Sequence, residues 1–210
     1  MRWAVKILAG FLLTCGLLWA EPPQCTENTL AAYLSLGAGG CTYAGITFAN
    51  FTYSAKAFGG AAVIGAEQIT ITPSLVVPST AVFTFHALWS VTGKQTQDSD
   101  ISYTAVLRCG QTGTAELGLD LGPVNLIDGV GSVVIHENTN VGNLRVLDEC
   151  FSQHPLCALK STDTLEFTAG SVQLIAEHVA LAGESGGASL PYFTTSVNTC
   201  PLCVAPGIDK

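Results

Sequence analysis

From Ala81 to Val91 the chain alternates with a period of two. Ala81, Phe83, Phe85, Ala87, Trp89 and Val91 share one side, and His86 and Ser90 fall on the other. An extended strand throws successive side chains to opposite faces, so this stretch is predicted to be a strand with one buried face. A strand that presents Phe and Trp on one side needs a second layer to cover them. Ile101 to Arg108 repeats the pattern, with Ile101, Tyr103, Ala105 and Leu107 inward.

Further strand patterns fall at residues 46–53, 68–72, 115–121, 132–137, 143–147, 164–168, 171–181 and 188–196. Pro73 is expected to close the strand at 68–72, because proline donates no ladder hydrogen bond. Turn residues separate the runs at Gly93, Gly110 to Gly113, Asp128-Gly129, Ala169-Gly170 and Gly183 to Gly187. About ten short strands with Gly-rich turns predict an all-β fold, an antiparallel β-sandwich or jelly roll. No long helical pattern lies between strands, which disfavours a parallel βαβ fold. One short helix is predicted in TENTLAAYLSLGAGG, with Thr26 as its N-cap, Leu30, Tyr33 and Leu34 on one face, and Gly37 as its stop.

The first residues, MRWAVKILAGFLLTCGLLWAEPPQC, place Arg2 and Lys6 before an apolar run and Ala20 before Glu21-Pro22-Pro23. That is the layout of a secretory signal peptide over residues 1–20. The run is shorter than the roughly 20 apolar residues needed to cross a bilayer. Residues 21–210 are then expected to be a single secreted domain with no transmembrane segment. The whole chain has 8 Lys and Arg against 16 Asp and Glu, and Arg2 and Lys6 belong to the leader. No basic cluster remains to track phosphates, so nucleic acid is excluded as a partner.

An exported chain forms disulfides by default. Beyond the leader the cysteines are Cys25, Cys41, Cys109, Cys150, Cys157, Cys200 and Cys203, an odd set. Cys25 and Cys41 flank the predicted helix and are expected to pair. Cys150 and Cys157 bracket His154, an arrangement that could be half of a zinc site with Cys200 and Cys203 as the other half. Outside the cytosol a disulfide clip is the simpler reading. Cys200-Pro-Leu-Cys203 follows a predicted strand and precedes only seven residues, including Pro206 and Gly207, so no helix is available to activate a redox CxxC. It reads as a terminal staple, closed on itself or reaching Cys109.

Chemistry is sparsely signalled. Asp98 and Asp100 stand just before a predicted strand and could bind Ca²⁺ in a loop, although a full site needs six or more oxygen ligands. No other cofactor is implied. His86, His136, His154 and His178 are scattered. Glu137 follows His136 and could act as a base, but no partner is placed for it. A glycosidase needs two facing carboxylates, and Glu116, Asp120, Glu166 and Glu177 cannot be paired from sequence. There is no GxSxG, P-loop, GxGxxG or HExxH. Asn50-Phe51-Thr52 is a formal glycosylation sequon, more simply a strand asparagine at a bulge.

Three stretches carry a resemblance: Leu36 to Tyr53 (LGAGGCTYAGITFANFTY), Gln68 to Pro73 (QITITP) and Asp98 to Thr104 (DSDISYT). In this order, around an aromatic strand with Trp89, they resemble uncharacterised bacterial exported proteins of the PEP-CTERM-associated type. The likeness extends through Gly131 to Glu137 and Val172 to Val179. It implies a β-rich exported domain at the cell surface or in an exopolysaccharide matrix, with no catalytic residues to carry over. The final residues, Pro206 to Lys210, do not form the family's sorting tail, so plain secretion is expected. The expected function is a secreted structural or adhesive protein, associated with extracellular polysaccharide or the cell surface. The alternative is a carbohydrate-active enzyme or carbohydrate-binding module on a jelly-roll scaffold, and a third reading is a redox or metal protein built on Cys200 and Cys203.

Overall fold

In a computed structural model, residues 21–76, 79–107, 114–151, 154–168 and 172–198 are described. They form fourteen strands, one α-helix and one 3-10 turn. The first seven strands are β1 (Asn28–Thr29), β2 (Cys41–Tyr43), β3 (Ile46–Phe58), β4 (Thr70–Val76), β5 (Thr80–Thr92), β6 (Thr96–Leu107) and β7 (Thr114–Leu121). The rest are β8 (Asn125–Ile127), β9 (Gly131–Thr139), β10 (Asn143–Phe151), β11 (His154–Lys160), β12 (Thr162–Thr168), β13 (Val172–Ala182) and β14 (Gly187–Asn198). They pair antiparallel into two sheets. The first sheet runs β11-β10-β9-β13-β6-β3-β2, and the second β1-β4-β5-β14-β7-β12, with β8 also on β14. The fold is an all-β sandwich.

The two alternating stretches are the facing centres of this sandwich. On β6, Ile101, Tyr103, Ala105 and Leu107 are buried, as are Phe83, Phe85, Trp89 and Val91 on β5. Rings pack across the gap and along the sheet: Phe48 lies 4.2 Å from Phe83 of the other layer, and Phe85 stacks on its cross-strand neighbour Phe193 at 4.9 Å and 8°. Aromatic pairs at these separations add roughly 0.5–1.5 kcal/mol beyond the area they bury. Buried polar groups between the sheets are mostly satisfied. Trp89 Nε1 donates to Ser99 Oγ at 3.1 Å, and the Tyr103 and Thr195 hydroxyls meet at 2.8 Å. Gln97 Nε2 donates to the Ala62 carbonyl at 2.6 Å, and the Gln97 amide oxygen accepts the Ser90 N–H at 3.1 Å. Three of them, Trp89 to Ser99, Ser90 to Gln97 and Tyr103 to Thr195, cross from one sheet to the other, so each of these also fixes how the layers slide against one another.

The helix, α1, spans Leu30–Ser35 and buries Leu30 and Tyr33. Its N-cap is Thr29 rather than Thr26, with Thr29 Oγ1 accepting the Ala32 N–H at 3.2 Å. Thr26 instead offers its carbonyl to the Tyr33 hydroxyl at 2.8 Å. Gly37, at φ 56°, turns the chain out of the helix as expected. Cys25 is bonded to Cys41, and Cys150 to Cys157 within the β10–β11 hairpin. The leader at residues 1–20, Cys109 and the Cys200–Cys203 pair lie outside the described residues.

One strand end differs from expectation for a physical reason, and the bulge expected at Asn50 is present. Pro73 does not end β4, which continues to Val76 with Pro73 opposite Phe83. On its other side β4 meets β1 only at Thr70 and Ile71, so from Thr72 onward it is an edge strand that tolerates proline. On β3 the register shifts between Ala49 and Thr52, where Asn50 adopts φ 56°. Asparagine enters that left-handed region more readily than other non-glycine residues. Beyond this bulge the alternation resumes in the opposite phase, so that Phe51 and Tyr53 face the core.

Phe85→Ala should cost about 3–5 kcal/mol in urea unfolding, as truncation of a fully buried ring does. Leu88→Ser, on the same strand but 84% exposed, should change stability by no more than about 0.5 kcal/mol. Equal costs would show that the inward and outward faces are misassigned. Non-reducing peptide mapping should recover Cys25–Cys41 and Cys150–Cys157, and a peptide joining any of these four to Cys109, Cys200 or Cys203 would contradict the pairing.

Candidate functional site

The outward face of the β11-to-β2 sheet carries the densest set of polar side chains that can meet a ligand. Strand register builds it row by row. Ser54 on β3 lies opposite Asp100 on β6, and Asp100 opposite His178 on β13. His178 lies opposite His136 on β9, and His136 opposite Arg145 on β10. At roughly 4.8 Å per strand, this row reaches roughly 19 Å across five strands. Within it, His178 Nδ1 donates to Asp100 Oδ1 at 2.7 Å, and Ser54 Oγ donates to Asp100 Oδ2 at 3.3 Å. Asp98, two residues before Asp100 on the same face, has Oδ1 4.0 Å from His178 Nε2. His178 is thus held between two carboxylates. Partial burial, then the nearby Arg145 and His178, hold the His136 imidazole below its ordinary value, so it is neutral at pH 7.

The neighbouring row is Thr52, Ser102, Ala176 and Asn138. The Thr52 and Ser102 hydroxyls meet at 2.6 Å. Ala176 is small and sits between longer side chains, which leaves a groove of about 280 Å³ bordered by Thr52, Ser54, Asp100, Ser102, Asn138 and His178. One row further, Asn50 Nδ2 donates to Thr104 Oγ1 at 3.2 Å, tying the β3 bulge to β6. The groove therefore combines hydroxyls, an amide, a carboxylate and an imidazole on rigid strands.

Asp98 and Asp100 are not in a loop before a strand. Both lie within β6, and the two-residue spacing puts them on one face about 7 Å apart along the strand. Their oxygens face an imidazole rather than converging on a cation. Among the described residues, no group of three or more His, Cys, Asp or Glu side chains is placed to hold a metal ion. The arrangement is also unlike a nucleophilic triad. Such a triad needs the hydroxyl on the imidazole, whereas Ser54 bonds to Asp100.

The other residues singled out in the sequence are dispersed. His86 lies beside Tyr192 on the outward face of the second sheet, with ring centroids 5.5 Å apart. Glu116 and Glu166 oppose one another across β7 and β12, and Asp120 Oδ2 accepts from Thr194 Oγ1 at 3.5 Å. Glu137 and Glu177 oppose one another on β9 and β13, but in the sandwich interior, each only 1% exposed. A larger depression of about 570 Å³ on the second sheet is bordered by Leu88, Pro123, Val124 and Pro191 and is mainly apolar.

No protein-family model and no curated protein matches the chain. Among solved structures, one similar chain is TmCBM61 in complex with β-1,4-galactotriose, at 9% identity and a TM-score of 0.26, over 68% of this chain and 86% of that one. A second is the family 11 carbohydrate-binding module from Clostridium thermocellum in complex with a β-1,3-1,4-mixed-linked tetrasaccharide, at 11% identity and a TM-score of 0.19, over 68% and 87%. At these scores neither likeness carries weight for the site, which rests on its own geometry.

Proposed function

We propose that this chain is an exported adhesive or structural protein that binds polysaccharide of the cell surface or extracellular matrix through the groove on β3, β6, β13 and β9. The observation that supports this reading is the polar row Ser54, Asp100 and His178 beside Thr52, Ser102 and Asn138. A pyranose ring presents several hydroxyls, each donor and acceptor, a few ångströms apart around a flat body. A face with alternating donors and acceptors at strand spacing matches that demand, and rigid strands lose little entropy in meeting it. The open groove suits an extended chain rather than an enclosed small molecule. Two disulfides suit an oxidising compartment, and among the described residues no helix is long and apolar enough to cross a membrane. Membership of the PEP-CTERM-associated exported proteins belongs to the same proposal.

A carbohydrate-active enzyme is the less favoured reading. Asp100 is the acid at the groove, and its oxygens are engaged by His178 and Ser54. The carboxyls nearest below it, Glu137 and Glu177, are sealed inside. Substrate cannot reach them without opening the sandwich.

Titration of the full chain with extracellular polysaccharides, after a glycan array has selected them, tests the proposal. Asp100→Asn and His178→Ala should each weaken binding at least tenfold, about 1.4 kcal/mol. Their exposed contact should contribute no more than about 1 kcal/mol to folding, so thermal midpoints of both variants should stay close to that of the parent. Absence of binding above background on every glycan, or unchanged affinity in both variants, would overturn the proposal.

A further inference from the structure

Glu137 on β9 and Glu177 on β13 are direct cross-strand partners on the inward face of the sheet. Each is only 1% exposed, and Ile135 and Val179, the next inward residues on their strands, are fully buried. Among the described residues, no hydrogen-bond donor reaches any of the four carboxylate oxygens, all of which are buried. Two ionised carboxylates facing one another in a low-dielectric interior repel strongly and lose their hydration as well. They become mutual partners only when at least one holds a proton, whose O–H donates to a carboxyl oxygen of the other.

The surroundings offer no other means of neutralising them. From β6, Ile101 and Tyr103 face the pair, and the Tyr103 hydroxyl is engaged with Thr195 of β14. From β10, Leu144 lies opposite Glu137. From β12, Asp163 adds negative charge nearby, and its own partners are the Lys160 ammonium at 2.7 Å and the Arg145 amide N–H at 2.8 Å. The His136, His178 and Arg145 side chains project from the opposite face of the sheet. Among the described residues, Tyr103 and Asp163 are the titratable groups nearest the pair on its own side, and the Lys160 ammonium beside them is bound by Asp163.

We propose that Glu137 and Glu177 are a proton-sharing latch between β9 and β13, which holds the sandwich closed in acidic and neutral surroundings and weakens it in alkaline ones. Burial pushes the Glu137 carboxyl up to about 7 and holds Glu177 well above the ordinary carboxylate range. In the unfolded chain both would titrate near 4.5. The folded state therefore binds more protons. The latch is complete below about pH 4.5 and is lost progressively as pH rises through 7 and beyond. Each group can shift the folding equilibrium up to tenfold per pH unit within that window. The latch sits on strands that carry the groove, since Glu177 lies between Ala176 and His178. Its test does not require a ligand.

Thermal unfolding of the full chain between about pH 5 and 8.5 reads the effect directly. The parent should lose stability as pH rises. In Glu177→Gln an amide N–H replaces the shared proton, so the pH slope should flatten and the variant should exceed the parent at the alkaline end. Glu137→Gln should act alike and serves if Glu177→Gln fails to fold. An infrared band of a protonated carboxylic acid near neutral pH, present in the parent and diminished in either variant, should accompany this. A parent slope that is flat or rises with pH would overturn the latch, as would a variant that keeps the parental slope. An alkaline midpoint that depends on calcium or on a chelator would also overturn it, by showing that a cation neutralises the pair.

Discussion

The structure depends on strict alternation along strands that serve two faces at once. On β6, Ile101, Tyr103 and Ala105 are buried in the core, while Asp98, Asp100 and Ser102 lie on the groove side. On β13, Ile175, Glu177 and Val179 point inward and Ala176 and His178 outward. A one-residue slip of either strand would exchange the two sets completely. Register is held by bonds that join the layers, Trp89 to Ser99 and Tyr103 to Thr195, and by the bulge at Asn50. The same contacts that close the core therefore align Ser54, Asp100 and His178 on the surface.

Two sets of polar groups in the core behave differently. Ser99, Gln97, Tyr103 and Thr195 have partners and bind the sheets to one another. The carboxyls of Glu137 and Glu177 have only each other. An apolar pair would pack without this penalty, so the interior carries a cost that depends on proton concentration. Because the pair joins β9 to β13, the strands beneath the groove are the ones most exposed to that dependence.

Much of the architecture was legible in the sequence because one-sided burial writes itself as period two. The faces of β5 and β6 and the pairs Cys25–Cys41 and Cys150–Cys157 follow from local pattern and spacing. β2, β8 and β11 were not legible, since two are three residues long and Pro155 masks the third. The end of β4 was misplaced because a proline's meaning depends on whether its strand is an edge, and β1 was too short to reveal that. The groove was hidden for a deeper reason. Asp98, Asp100, His136 and His178 were each visible, but their meeting is decided by the register of three strands, β6, β9 and β13, far apart in sequence. Their shared parity on outward positions was the available signal, and it does not say which strands are neighbours. The same limit concealed the opposition of Glu137 and Glu177.

On the proposed function, the outward face of β3, β6, β13 and β9 is where polysaccharide binds. Backbone amide NMR of the isotope-labelled full chain, titrated with the polysaccharide that it binds most tightly, tests this most directly. Binding in the groove should concentrate shifts at residues 50–54, 98–104, 136–138 and 174–178, with the second sheet unmoved. Shifts centred on Leu88, Pro123 to Asn125 and Ser189 to Leu190, around the apolar depression, would contradict it.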